Sequence, residues 1–286
     1  MTVSDLANGA RLLIAVLAAL CFALPVAHAN GEVVLWYELE TAKSGARGLE
    51  RKLDSAVKVI NGRIGNLGRA TLLPNKRIEI KVLGESSDDK LESIKRRVSV
   101  AGYVEIRELA HPGRAEDRRM IEQAQLLPSA KKEINVTGIG EAKWVAFSNE
   151  DLGPDAKKHL AIREIGDASE ALVLVDSLHI TGEYLTAAAK VADDQCGSAL
   201  ELSFNSKGIE RLNRLASENR IEEDNELEPL FGFILDDRLI AGVKLQGETR
   251  EKIRIWGPTI TDREIDNLIA IFDAGLLSHA LKEVRD

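Results

Sequence analysis

The segment KVINGRIGNLGRATLLPNKRIEIKVLG, residues 58–84, contains the end of an amphipathic helix and a pair of short strands. The helical part continues an apolar stripe that begins at Leu49 and recurs every three or four residues, which is the spacing of one helix face. Pro74-Asn75 is a typical turn pair, and Ile78 and Ile80 alternate with charged residues as in a half-buried strand. The segment therefore predicts a helix followed by a β-hairpin.

The flanking segments extend this hairpin into a βαββαβ order. A strand is predicted over Glu32–Glu40, a second amphipathic helix over Asp88–Val100, and a closing strand over Tyr103–Leu109. This order is that of the ferredoxin-like split βαβ unit. We assign residues 31–110 to a ferredoxin-like base unit, and the mixture of helices and antiparallel strands predicts an α+β fold.

The rest of the chain divides into a connecting region and a second unit. Residues 111–168 show a looser pattern and are predicted to connect the two units. Residues 169–286 are predicted to form a second α+β, head-like subdomain. It should contain a short helix after Ile180, three strands of a meander after Leu230, and a last helix opened by the capping box TDRE at 261–264.

The N-terminal residues 1–29 have the features of an export signal. The apolar run LLIAVLAALCFALPVA at 12–27 follows Arg11 and overlaps the small-x-small sequence formed by Ala27 and Ala29. The pattern predicts a signal peptide cleaved after Ala29, with an uncleaved single-helix membrane anchor as the alternative. The mature domain is therefore expected to be extracytoplasmic, in the periplasm or cell envelope, and either soluble or anchored by one helix.

Composition excludes several classes of function. The 46 acidic residues outnumber the 38 basic ones, and this net charge of −8 argues against a protein that binds nucleic-acid phosphates through a basic face. The two cysteines are too few for a disulfide framework, and one of them, Cys21, lies in the predicted leader. We therefore expect no nucleic-acid partner, and the sequence does not indicate an oligomeric state.

Chemical motifs give no sign of an enzyme. The chain lacks G-x-S-x-G, H-E-x-x-H, paired C-x-x-C and P-loop patterns, and its histidines are scattered singly. The acidic cluster at 222–226 lacks the ligand spacing and central glycine of a calcium loop. We predict no catalytic residue, no metal site and no cofactor. An envelope enzyme is the weakest of the alternatives, and tight binding of a small molecule or metal would favour it.

Four segments, in the same order, resemble the first large extracytoplasmic domain of the protein-export subunit SecD. They are the opening segment 58–84, GYVEIRELA at 102–110, and the longer stretches at 180–219 and 231–282. The resemblance covers roughly residues 50–110 and 170–282 and implies a base and a head subdomain. Four features differ from the family. The Gly-Asp-Leu-x-Gly-Gly motif is replaced by YELETAKSGA, and the Leu-Pro-Gly after the strand pair by Leu83-Gly84-Glu85. The hairpin turn has Asp237 in place of glycine, and the sequence ends where the later transmembrane helices of SecD begin.

The resemblance implies a non-catalytic module that binds translocating polypeptide or the export machinery. Expected partners are Sec translocon subunits and unfolded exported polypeptide. Because the family's proton-coupled step belongs to its membrane helices, we do not expect this module to perform that step. The alternative is a cell-envelope binding or assembly module that retains the fold but has no role in export.

A candidate polypeptide-binding surface is the predicted hairpin at 231–245. Its apolar side chains lie near a turn of the head-like unit, and they are Phe231, Phe233, Leu239, Ile240 and Val243. The alternative is that they form the core of a meander, which is the usual position of apolar residues that alternate along a strand. Side-chain burial distinguishes the two interpretations.

Overall fold

The computed structural model describes residues 33–39, 49–148, 151–152, 158–176, 178–194, 197–218, 230–243, 251–279 and 281–285. The predicted signal sequence, with Ala27 and Ala29, lies outside these ranges, as does Cys196. Among the helices within them, none is both long enough and apolar enough to cross a bilayer.

The described helices and strands alternate irregularly along the chain. In chain order they are β1 (Val34–Leu39), α1 (Leu49–Ile64), β2 (Gly68–Leu72), β3 (Ile78–Val82), α2 (Asp88–Ser99), β4 (Val104–Glu108), α3 (Ala115–Gln125), β5 (Glu133–Val136), β6 (Gly140–Phe147), β7 (Ile162–Ile165), β8 (Ala168–Val175), β9 (Ile180–Thr181), β10 (Leu185–Asp193), β11 (Gly197–Phe204), α4 (Ser206–Glu218), β12 (Phe231–Leu235), β13 (Arg238–Val243), β14 (Lys252–Ile255), α5 (Asp262–Ala274) and β15 (Leu281–Val284). This mixed content confirms the predicted α+β class.

The base unit is an antiparallel sheet with the strand order β15-β1-β3-β2 and with α1 and α2 packed against it. This is the strand order of a ferredoxin-like unit, but the closing strand differs from the prediction. The predicted strand at 103–109 corresponds to β4, which lies in another sheet, and β15 from the end of the chain takes its place beside β1. The pattern of β4 fits any half-buried sheet, so it does not specify which strand β4 pairs with.

The base core lies between the sheet and its helices. Ile60 and Ile64 of α1 and Ile94 of α2 are fully buried against Ile78 and Ile80 of β3. Burial of each such side chain contributes about 1.5–3 kcal/mol. The apolar stripe recognised in the sequence is thus the helix face that holds the base together.

The largest sheet of the second unit curls into a small barrel. Its strand order is β7-β8-β6-β13-β12-β4-β9, with β5 paired to β6. A bridge between Leu109 and Val173 brings the end of β4 back to β8, so that β8, β6, β13, β12 and β4 surround a common interior. The apolar part of that interior contains Leu109, Val145, Phe147, Ala171, Val173, Ile234 and Leu239.

A three-stranded sheet, β10-β11-β14, packs across the outside of the barrel wall together with α4 and α5. Two predictions are wrong here. The segment predicted as a short helix after Ile180 forms β10, because pairing with β11 overrides the helix propensity of its alanines. The third predicted meander strand, β14, pairs with β11 and not with β13. The predicted connecting region, 111–168, contains α3, β5, β6 and β7, and β6 is a barrel strand.

Candidate functional site

The base and the second unit are joined around one fully buried arginine, Arg63, at the end of α1. Its Nη1 donates to the carbonyl oxygens of Arg97, at 3.0 Å, and Val100. Its Nη2 donates to the carbonyl oxygens of Ala101 and Gly275, both at 2.7 Å. One side chain therefore links α1, the segment that follows α2, and the end of α5.

Arg63 is charged, but the groups that accept its hydrogen bonds carry no net charge. Its hydrogen-bond acceptors are backbone carbonyls, so burial lowers the pKa of Arg63 to about 10, and the charge of Asp236 only partly opposes this effect. The fit is tight on the side of Gly102, which has a φ of +97° and whose added Cβ would lie 2.8 Å from Nη2 of Arg63. The packing at the joint therefore favours arginine at position 63 and glycine at position 102.

A cavity of about 360 Å³ opens beside this joint. We call it the joint cleft, and it is lined by Ser99, Ala101, Tyr103, Glu105, Asp236 and Asp237. The Asp236 carboxylate accepts hydrogen bonds from the backbone N–H groups of Gly102, at 3.0 Å, and Tyr103, at 2.8 Å. Asp236 and Asp237 have φ values of +51° and +59°, as a two-residue hairpin turn between β12 and β13 requires.

Two exposed apolar side chains flank Gly102 at the edge of the joint cleft. Tyr103 is 54% exposed and follows Gly102 directly. Leu276 is 51% exposed, and its Cδ2 would lie 3.5 Å from a Cβ at Gly102. Solvent-exposed apolar groups next to carboxylates give this edge a mixed character, which suits contact with a polypeptide segment that carries apolar and basic residues.

A charged network separates the joint cleft from the mouth of the barrel. Glu105 accepts from Arg107 Nε at 2.8 Å and from Lys143 Nζ at 2.8 Å. Burial raises the pKa of Glu105, but the hydrogen bonds from Arg107 and Lys143 outweigh it and lower that pKa to about 2. Lys143 also donates to Asp237, at 2.9 Å. Glu105 is therefore ionised at neutral pH and fixes both cations.

The five apolar residues of the candidate hairpin all lie inside the protein. Phe231, Phe233, Ile240 and Val243 pack into the core between the barrel wall and the three-stranded sheet, whereas Leu239 points into the barrel. None of the five is more than 5% exposed. Their position is that of core residues, and a polypeptide-binding role for them stays a prediction. The exposed apolar groups nearest to this hairpin's turn are on other segments.

Sequence reasoning missed Arg63, Tyr103, Leu276 and the network around Glu105. A signal did exist in the strand sequence VEIRE at 104–108, where Glu105 and Arg107 occupy one face and Val104 and Ile106 the other. Such alternation usually marks a solvent-exposed face. In this fold that face points into the barrel, so the charges must pair with one another. Within the described ranges, no cluster of three or more histidine, cysteine, aspartate or glutamate residues could hold a metal ion.

Comparison with known proteins identifies the fold. No protein-family model matches the chain, and no curated protein matches it. The fold is similar to that of SecDF in its super-membrane-facing form, with a TM-score of 0.54 and 16% identity over 89% of this chain, and the chain spans 30% of the length of that SecDF chain. A second structure, of a membrane component SecDF that enhances protein export, matches with a TM-score of 0.51 and 16% identity over 89% of this chain and 99% of the other. The predicted resemblance to SecD is confirmed at the level of the fold.

Proposed function

We propose that this chain is a non-catalytic, extracytoplasmic SecD-like module that binds translocating polypeptide or the Sec export machinery. The observation that carries the proposal is the match to SecDF over 89% of the chain, which includes both the base and the barrel. Fold alone does not specify function, so the proposal also needs a surface that could do the binding.

The joint cleft is the surface that we assign to this role. Its lining combines the exposed side chain of Tyr103 with the carboxylates of Asp236 and Asp237, and the exposed Leu276 lies at its edge beside Gly102. An unfolded segment with apolar and basic side chains would gain apolar contacts and charge pairing there. The hairpin predicted from the sequence contributes its turn to this cleft and keeps its apolar side chains in the core.

The test is photo-crosslinking in cells, with a photoreactive residue at Tyr103 or at Leu276. The matched control is Leu126, an apolar residue that is 78% exposed at the end of α3. We expect export intermediates or Sec translocon subunits to crosslink at Tyr103 and Leu276 and not at Leu126. Equal yields at all three positions, or none at the cleft, would contradict the proposal.

The same experiment addresses the alternative function, a cell-envelope binding or assembly module without a role in export. Crosslinks from Tyr103 that persist unchanged when export is blocked, and that contain folded envelope proteins, would favour that alternative. Crosslinks that disappear when export is blocked would favour the export role, because translocating polypeptide is then absent.

A further inference from the structure

An open groove of about 820 Å³ lies at the mouth of the barrel, on the far side of the charged network from the joint cleft. We call it the barrel-mouth groove. Its lining includes four cationic residues, namely Arg107, Lys131, Lys132 and Lys143. Two acidic residues, Glu133 and Glu141, also line it. Barrel mouths with a few convergent polar groups are common ligand sites.

Arg107 is the most deeply buried of these cations. It is 6% exposed, and its Nε and Nη2 donate to the two carboxylate oxygens of Glu105 at 2.8 and 3.1 Å. Its Nη1 is buried and has no hydrogen-bond partner among the described residues. A buried donor without an acceptor is unfavourable, so the protein gains if an acceptor enters beside it.

The charges inside the barrel mouth do not cancel. Arg107 and Lys143 carry two positive charges, whereas Glu105 supplies one buried negative charge. The other carboxylate bound to Lys143 belongs to Asp237, whose side chain is 83% exposed and therefore strongly screened by water. The interior of the mouth is left with about one positive charge.

We propose that the barrel-mouth groove binds an organic monocarboxylate, whose carboxylate lies against Arg107 and Lys143 and whose body extends along β5. A planar carboxylate matches the arrangement of guanidinium N–H groups. One residual positive charge balances one negative charge, whereas a phosphate carries close to two and would be repelled about twice as strongly as a carboxylate by Glu133 and Glu141. This inference goes beyond the proposed function and does not depend on a role in export.

The remaining lining of the groove suits the body of such a ligand. Ala130, which is exposed, and Val175, which is half-buried, provide apolar surface beside the charged groups, whereas Ile134 and Ala142 belong to the core under α3. The volume exceeds what a carboxylate alone would fill, and it lies in the range of pockets that bind small organic molecules. Exposed Lys131 at the rim would attract the anion toward the mouth, and Lys132, whose Nζ lies 3.3 Å from the carboxylate of Glu170, would add a partly balanced positive charge.

The test is NMR titration of the purified protein with three probes. They are butyrate, a short apolar peptide with a free C-terminal carboxylate, and the same peptide as its C-terminal amide. We expect butyrate and the peptide acid to shift the backbone amide signals of Ile134, Lys143 and Val175. The amide should bind at least about tenfold more weakly than the acid, because it lacks the charge that Arg107 and Lys143 attract.

Two double variants that lose the same amount of positive charge show whether butyrate binds in the barrel-mouth groove. The double variant Lys131→Gln/Lys132→Gln should weaken binding of butyrate by about three- to tenfold. The control Lys58→Gln/Lys207→Gln removes two exposed lysines outside the groove lining and should leave binding unchanged. All four lysines are exposed, and Glu170, which Lys132 contacts, keeps its ion pair with Arg163 at 2.7 Å, so both double variants should fold.

The outcomes decide the proposal. Butyrate binding as strong as that of the peptide acid would indicate a small-molecule acid, and binding of the peptide acid at least tenfold tighter would indicate the C-terminus of a chain. Four results would overturn it. They are no shifts at about 50 mM of either carboxylate, equal binding of acid and amide, equal weakening in both double variants, and binding of inorganic phosphate without either carboxylate.

Discussion

Two buried arginines, Arg63 at the joint and Arg107 at the barrel mouth, are paired in different ways. Arg63 gives its terminal N–H groups to backbone carbonyls of two segments, residues 97–101 and Gly275, and only its Nε has no partner among the described residues. Arg107 is instead paired with the carboxylate of Glu105, and its terminal Nη1 has no partner among the same residues. Three of the carbonyls around Arg63 lie on residues 97–101, and the fourth, that of Gly275, reaches it only when the end of α5 is docked there. The carboxylate beside Arg107 is two residues away on the same strand.

The difference shows what each arginine does for the protein. Arg63 connects segments that are distant in the sequence, so its contribution is to the relative position of the two units. Arg107 and Glu105 form a local pair that holds a charge in the barrel mouth without linking distant segments. We expect a structural role for the first and a role in ligand binding for the second.

The largest expected effect comes from Arg63→Met. The variant leaves the carbonyls of residues 97–101 and of Gly275 without their donor, and we expect it to lower the free energy of unfolding by about 3–5 kcal/mol. The matched control is Arg51→Met, an exposed arginine on the same helix, which should change stability by less than about 0.5 kcal/mol. Urea unfolding measures both. A loss below 1 kcal/mol for Arg63→Met would show that the joint does not depend on this side chain.

A smaller effect, dependent on pH, is expected from Glu105→Gln. The lowered pKa of Glu105 means that its carboxylate stabilises the fold above a pH of about 4.5 and that this stabilisation is lost as the pH falls toward about 2. At pH 7 the variant should lose on the order of 2 kcal/mol. Urea unfolding at pH 7, 4 and 3 should show the difference from the unsubstituted protein shrinking with acidity.

The control for this pH dependence is Glu122→Gln, an exposed carboxylate on α3. Its effect should be small at every pH, because an exposed carboxylate has little interaction to lose. If the difference between the unsubstituted protein and Glu105→Gln stays constant from pH 7 to pH 3, the ionised carboxylate is not what stabilises the barrel mouth.

The smallest effect is expected from Asp237→Asn. Asparagine also tolerates the positive φ of this turn position, so the substitution removes only the ion pair with Lys143. An exposed pair of this kind contributes little, and we expect a change below about 0.5 kcal/mol in urea unfolding. A loss of more than 1 kcal/mol would mean that the ion pair with Asp237 stabilises the position of Lys143, as the pair with Glu105 does. The net positive charge in the barrel mouth would then be smaller than one.

Local features could be predicted from the sequence because they depend on neighbouring residues. The N-cap half of the predicted capping box is present, with Thr261 Oγ1 accepting from the backbone N–H of Glu264 at 3.2 Å, whereas the Glu264 carboxylate accepts from Arg96 Nε at 2.9 Å. The helix α5 ends at Gly275, which has a φ of +86°. The apolar stripe of α1 likewise faces the base core. Each of these features is set within one or two helical turns.

Strand partners could not be predicted in the same way. The residues of β4 and β14 form strands close to where the sequence indicates, but both pair in sheets other than the predicted ones. The alternation of apolar and polar residues shows which face of a strand is buried and leaves its neighbour undetermined. The candidate hairpin illustrates the same limit, since its apolar residues face two different cores on the two sides of one sheet.

The sequence by itself determined the α+β class, the burial of the apolar faces and the resemblance to SecD, because each follows from short-range periodicity or from the order of segments. Tertiary structure alone decided that β15 closes the base and that β4 returns to β8 to form a barrel. These pairings join residues far apart in the chain, and their stability depends on packing across the whole fold. The joint around Arg63 and the charged barrel mouth exist only once those pairings have formed.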